Sequence, residues 1–430
     1  MIVISESSVL IADESHFSVL KEFKDNVEYE LDLSVNGFFK QPASATADRD
    51  DALFLGRFTM QSQASLMSNL LAGFNVYGAY SSQKDEYNGA FREPGQRSRT
   101  PRHVDFNTAW LRYDADDYSV TIGKDYIDSG LSELYSPVDR FGLSNISNPT
   151  MPYKMGVWQA SFDYFIADDS LSFTLVPIHE KSQIPPLSSR WIGSSNDPQF
   201  TYLAANTQIQ EHYYPVRLEN MGYLLKYKGA RAGYDFFTLA HHGPAFYPAL
   251  LKTSTPNVYN KIEPLAFSVA AGVLKVYEQW TFSLEAIYQQ TYDQKDADFI
   301  RYSAGVSYKF NQLAQIIDFN DVSLSVQWSG DETVSEESQQ LVAFSSREAR
   351  PFRNTVFVKS EFEQNDKWSY YAMGVHNIES DYILSAGTKF KLNDNLIFNL
   401  EGSYFNGPED THFGRWSEND FIRLRTIYKF

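Results

Sequence analysis

Residues 280–289 read WTFSLEAIYQ and residues 299–310 read FIRYSAGVSYKF. In the first, Trp280, Phe282, Leu284, Ala286 and Tyr288 alternate with Thr281, Ser283, Glu285 and Gln289. In the second, Ile300, Tyr302, Ala304, Val306, Tyr308 and Phe310 alternate with Arg301, Ser303, Gly305, Ser307 and Lys309. Successive side chains of an extended chain point to opposite faces. Each stretch is therefore a strand with one apolar and one polar side. Residues 27–39 repeat the pattern, with Val27, Tyr29, Leu31, Leu33 and Val35 set against Glu28, Glu30, Asp32 and Ser34.

Working outward, such segments recur at 27–39, 52–66, 69–81, 104–113, 118–126, 156–166, 170–178, 219–228, 232–241, 264–274, 280–289, 299–310, 322–329, 354–363, 368–377, 381–392, 396–405 and 420–430. Most have the length, about 9–11 residues, that carries a tilted strand across a bilayer. Short connections (114–117, 167–169, 229–231, 364–367, 393–395) alternate with long ones (82–103, 125–155, 177–218, 242–263, 330–353). That is the pattern of a bacterial barrel with short periplasmic turns and long extracellular loops. The expected fold is all-β: a transmembrane antiparallel β-barrel of about 18 strands over residues 27–430. Residues 1–26 form a periplasmic leader or a short plug helix. A soluble sandwich would bury its apolar faces and vary its strand lengths. Here one face stays apolar along nearly every strand, which suits lipid, and the other is polar, which suits a wet lumen.

Composition agrees. The chain has 28 Tyr, 32 Phe and 7 Trp, an excess that fits two interfacial aromatic girdles. Mean hydropathy is −0.38, and no apolar run reaches the roughly 18 residues of a spanning helix. The formal charge of −17 opposes nucleic-acid binding, which needs a basic surface. Cysteine is absent, which removes thiolate metal sites and Cys nucleophiles. No G-x-S-x-G or H-E-x-x-H pattern occurs, so no enzyme, cofactor or metal site is expected. His241 and His242 are adjacent in a strand and point apart, so they cannot share an ion.

Residues 118–149, YSVTIGKDYIDSGLSELYSPVDRFGLSNISNP, resemble a strand and loop of Gram-negative porin-like barrels of the alginate-export type. There a strand ending in Gly-Arg-Gln leads to a Trp-Gly turn and a Pro-x-Asp. Gly123-Lys124-Asp125, Ser129-Gly130 and Pro137–Asp139 occupy those places, with Lys for Arg and Ser for Trp. Residues 171–191 are similar to such barrels as well. The resemblance implies an 18-stranded outer-membrane channel and leaves the solute open. The last strand ends on Ile422, Leu424, Thr426, Tyr428 and Phe430, which resembles the C-terminal signal read by the barrel-assembly machinery.

Function in a pore lies on the inward faces and on loops folded into the lumen. The alternation turns inward Lys226, Lys228, Arg301, Lys309, Lys359, Lys389, Lys391, Arg423, Arg425 and Lys429, together with Glu28, Glu30, Asp32, Asp163, Asp235, Glu285, Glu361 and Glu401. Closing the barrel is expected to set Glu28, Glu30 and Asp32 against Lys429, Arg425 and Arg423. Two readings of the remainder stay open. Arg301, Lys309, Lys359, Lys389 and Lys391, bordered by Glu361 and Glu401, form a ladder for an anionic solute or polyanion, or the lumen is simply mixed and hydrophilic. Loop 125–155, with Asp128, Glu133, Asp139 and Arg140 and with Gly130, Pro137 and Gly142 to fix its shape, is the expected constriction. Loop 177–218 offers Trp191, Tyr202, Tyr213 and Tyr214 for stacking. The acidic loops would meet lipopolysaccharide through divalent cations or stand solvated. The function expected is passage of a hydrophilic solute. The alternative is an outlet or sleeve for a periplasmic export or electron-transfer partner.

Overall fold

The structure is a computed structural model. It describes residues 19–430 except 43–46, 85, 96–97, 187, 194–207, 213, 246–247, 257, 337–340, 345–349 and 379. Tyr202 and Tyr213 lie outside the described residues, as do residues 1–18.

Eighteen strands close on themselves in a single antiparallel sheet. In chain order they are β1 (Glu28–Phe38), β2 (Ala52–Met67), β3 (Leu70–Ser81), β4 (Val104–Asp114), β5 (Tyr118–Asp125) and β6 (Val157–Ile166). Next come β7 (Asp169–Val176), β8 (Gly222–Arg231), β9 (Tyr234–Pro244), β10 (Leu265–Tyr277), β11 (Trp280–Thr291) and β12 (Asp298–Lys309). The last six are β13 (Asp321–Ser335), β14 (Asn354–Glu363), β15 (Trp368–Asn377), β16 (Asp381–Lys391), β17 (Leu396–Asn406) and β18 (Phe421–Lys429). Each strand pairs with its neighbours in sequence, and β1 closes the ring on β18 from Glu30↔Lys429 to Phe38↔Phe421. Closure leaves no sheet edge to face lipid.

The alternation decides which side chains leave the barrel. Phe282 is 45% and Leu424 52% exposed on the exterior, and Leu31 and Val306 share that face through Leu31↔Tyr428 and Phe282↔Val306. Exterior rings gather at both ends of the strands. At the short-turn end Tyr29 stacks on Phe430, Trp280 meets Tyr308, and Trp368 meets Phe390. At the loop end Phe54 meets Tyr80, Tyr302 meets Trp328, and Tyr382 meets Tyr404. These are two girdles bounding an apolar belt.

A short helix at residues 19–25 precedes β1. Strand β1 starts at Glu28, opposite Gln61, so β2 runs on past it and leaves an unpaired edge. The helix covers that edge. Ser62 donates to the Phe23 carbonyl at 2.6 Å, the Ser65 amide donates to the Glu22 carboxylate at 3.1 Å, and Phe23 packs on the exterior Phe74. The described part of the segment thus lies along the edge of β2 at the short-turn rim, with Asp25, Asn26 and Val27 bordering a recess at that end.

The inner wall departs from the expectation of a wholly polar face. Leu224, Phe237, Leu239, Ala270 and Ile287 all point inward from β8–β11 and are buried. A second inward apolar group, Phe38, Leu53, Phe357, Phe405 and Phe421, lines the loop end of β1, β2, β14, β17 and β18. An apolar wall inside a water-filled barrel costs free energy unless something covers it. In both places loops do.

Candidate functional site

The cover over the first patch is the loop joining β5 to β6, residues 126–156. Its Ile127, Val138, Phe141, Leu143 and Met155 pack on Leu224, Phe237, Leu239 and Ile287. Val138 is fully buried. Burying side chains of this size is worth roughly 1.5–3 kcal/mol each, so the patch holds the loop within the barrel.

Polar anchors fix its course. Glu285, fully buried on β11, accepts from the backbone amides of Leu131 and Ser132 and from the Ser136 hydroxyl. Gly130 is required beside this anchor, because a Cβ there would lie 2.1 Å from Ser136 Oγ. Further on, the Tyr135 amide donates to Gln327 Oε1 at 3.2 Å, and the Gln327 amide returns a bond to the Tyr135 carbonyl. The Tyr135 ring stacks on Phe357 with centroids 5.5 Å apart. The loop then crosses to the seam. Arg423 of β18 donates to the Thr150 carbonyl at 3.3 Å and to its hydroxyl. Finally Tyr153 meets Arg57 of β2, whose guanidinium lies 3.9 Å from the Tyr77 ring centroid and 4.1 Å from that of Tyr153. The loop thus touches the wall at β2, β11, β13, β14 and β18, and it divides the lumen. On its short-turn side lies a recess of about 620 Å³ bordered by Glu28, Gln61, Gln63, Asn75, Thr108 and Tyr126.

Of the residues expected in this loop, Asp128 and Asp139 both pair with Lys154, the latter at 2.8 Å. Glu133 lies 3.6 Å from Lys359. Arg140 is buried, its guanidinium 5.0 Å from the Phe299 ring centroid. Lys226 donates to the Asp128 carbonyl at 2.9 Å.

The basic ladder is largely neutralised. Arg301 is buried and pairs with Asp331 at 3.1 Å. Lys309 pairs with Asp321 at 3.0 Å, Lys359 with Glu361 at 2.9 Å, and Lys391 with Asp394 at 2.8 Å. Among the described residues Lys389 and Lys228 have no carboxylate within 4.0 Å. The seam register is offset from the expected one, by one inward pair at Lys429, which lies opposite Glu30, and by two at Arg425 and Arg423, which lie opposite Ser34 and Asn36. Lys429 faces Glu30 at 3.7 Å, Arg425 grips both oxygens of Asp32 at 2.9 and 2.6 Å, and Arg423 turns to Asn36 and Glu401. Glu28 instead accepts from Gln61 at 2.7 Å. Shear shifts the closing strands along each other, and residue parity carries no information about that offset.

The loop end holds a second brace. Residues 189–193 of the β7–β8 connection reach the far wall, where Trp191, 1% exposed, packs among Phe38, Phe405, Trp416 and Phe421. Arg190 stacks over Phe38 and donates to the carbonyls of Asp50 and Lys40. Nearby, Glu263 joins Arg99 and Lys181, each at 2.8 Å, and so ties three loops together. Burial in this region pushes the His179 imidazole down to about 4 and the Lys261 ammonium down to about 7. Burial pushes the Glu86 carboxyl up to about 7.

Several of these residues were not singled out from the sequence: Arg57, Tyr153, Gln327, Ser136 and Trp416. Arg57 was within reach, since it shares inward parity with Leu53, Leu55 and Gln61 in β2. The others sit in loops or are neutral, and periodicity does not mark them.

Neither a protein-family model nor a curated protein matches the chain. Solved structures match across almost its whole length. Pseudomonas aeruginosa OccK8 (OprE) aligns at TM-score 0.54 and 9% identity, covering 95% of this chain and 99% of its own. Acinetobacter baumannii OccAB3 aligns at 0.53 and 9%, covering 94% and 99%. Pseudomonas aeruginosa OccK11 (OpdR) aligns at 0.52 and 8%, covering 95% and 97%. All three are Gram-negative outer-membrane channels. The fold is that of an outer-membrane porin. Identity this low makes the likeness one of fold, and likeness to the alginate-export type is not shown.

Proposed function

We propose that the chain is a passive outer-membrane channel for small hydrophilic solutes, with residues 126–156 setting its bore. The observation that carries this reading is a loop folded into a closed barrel and fastened to its wall by Glu285, Gln327 and Arg423. A sleeve around a periplasmic partner needs an open bore, and here the loop occupies that space. An anionic solute draws little support. Four of the five ladder cations already hold a carboxylate, which favours a mixed, nearly neutral lumen. The test is single-channel recording in planar bilayers, with reversal potential measured in a salt gradient. Ohmic steps with weak ion selectivity are expected. A barrel that inserts but stays silent would remove the channel reading.

A further inference from the structure

Most connections at the short-turn end are two to four residues long, such as 68–69, 232–233 and 364–367. The one joining β12 to β13 is different. Residues 310–320, FNQLAQIIDFN, hold a single helical turn over Asn311–Ile316. Ala314 alone is buried against the barrel. Leu313 (41%), Ile316 (80%) and Ile317 (39%) project from the turn at helical spacing and form one exposed apolar face. Asn311, Gln312 and Gln315 fall on the remainder. No charged residue occurs from Phe310 to Ile317, and the chain turns away at Asp318, whose φ is 58°.

The two ends of this segment fix the direction it faces. Phe310 packs edge-on against Tyr308 at 4.7 Å, and Phe319 packs against Phe362 and Tyr370, each at 6.4 Å. Tyr308, Phe362 and Tyr370 are all exterior residues of the aromatic girdle at the short-turn end. The apolar face is therefore continuous with the lipid-facing belt and extends it beyond the strand ends. We infer that residues 310–319 form an interfacial foot whose Leu313, Ile316 and Ile317 enter the glycerol–acyl boundary of phospholipids in the periplasmic leaflet. A short apolar face without charge, framed by aromatic rings, has the composition of segments that lie in that boundary.

The absence of cysteine from the chain allows a direct test. Ile316→Cys is labelled with an environment-sensitive fluorophore and reconstituted into phosphatidylcholine vesicles carrying nitroxide at the headgroup or deep in the acyl chain. Gln315→Cys, Asp366→Cys on the 364–367 turn, and Phe282→Cys on the exterior wall serve as references. Ile316 is so exposed that its replacement removes little packing. The expected result is blue-shifted emission at 316, quenched more by the shallow nitroxide than by the deep one. Labels at 315 and 366 should stay water-like. A water-like label at 316 would overturn the inference. So would a label shielded from aqueous iodide yet untouched by either lipid nitroxide, since that result means a protein covers the face.

Discussion

Replacing Glu285 with alanine tests whether the constriction loop is held by chemistry or merely lodged in the barrel. The carboxylate is fully buried and accepts three bonds, from Leu131 N, Ser132 N and Ser136 Oγ. Hydrogen bonds to a charged group are worth about 1.5–3 kcal/mol each. Water entering the space left behind would recover part of that sum, so a net loss of about 3–5 kcal/mol for the docked arm is reasonable. The apolar patch is untouched by this change. Val138, Phe141 and Leu143, at about 1.5–3 kcal/mol each, still hold residues 138–143. The variant should therefore loosen residues 130–134 alone, with Tyr135 still held by Gln327 and Phe357. Single-channel recording should show larger conductance and added open-channel noise, while heat-induced unfolding on gels stays close to that of the parent. Glu285→Gln, which keeps one acceptor, should fall between. Adding Gln327→Ala removes the next anchor and should increase the noise further. If the Glu285→Ala/Gln327→Ala pair conducts like the parent, these contacts do not position the loop and the argument fails.

Three further outcomes can be measured. Trp191→Ala empties a site that is 1% exposed and should cost about 3–5 kcal/mol locally, exposing the β7–β8 connection to limited proteolysis while the barrel persists. A double-mutant cycle of Asp32→Asn and Arg425→Gln, read by urea unfolding, should give a coupling of about 1–2 kcal/mol, reduced from a fully buried pair because the arginine side chain is 35% exposed. Glu86 carries a folded-state value raised to about 7 from 4.5. The folded form then binds more protons than the unfolded one between those values, so stability of the 82–103 loop falls as pH rises from about 4.5 to 7 and is flat above. The total fall across that range is about 3 kcal/mol. Glu86→Gln should flatten it, as read by hydrogen exchange across the loop at pH 5 and pH 8.

The strands were legible because a membrane barrel exposes one face of every strand to lipid along its length, so every second residue stays apolar whatever the inner face does. The covered interior was not read, although it left a trace. Where loop 126–156 packs, the alternation breaks into adjacent apolar pairs: Leu224–Leu225, Phe236–Phe237, Ala270–Ala271 and Ala286–Ile287. One member faces lipid and the other faces the loop. The ladder was overestimated because three of its four counter-charges, Asp321, Asp331 and Asp394, lie past the strand ends that periodicity marks. Strand β13 runs on to Ser335 and brings Asp331 beside Arg301, and Asp394 sits in the turn after Lys391. The seam offset was illegible for a different reason, since parity fixes faces and says nothing of shear.

Arg423 has a consequence for how the molecule is made. Its partners come from three parts of the chain: Asn36 on the first strand, Glu401 on the neighbouring strand β17, and Thr150 on the loop inside. None of the three suffices to satisfy the guanidinium, and the full set exists only when the first and last strands have met around a loop already in place. Closure of the ring and docking of the loop are therefore coupled through one side chain: a chain whose ends have not met leaves Thr150 without its fastener, and a loop that has not docked leaves the seam arginine short of an acceptor.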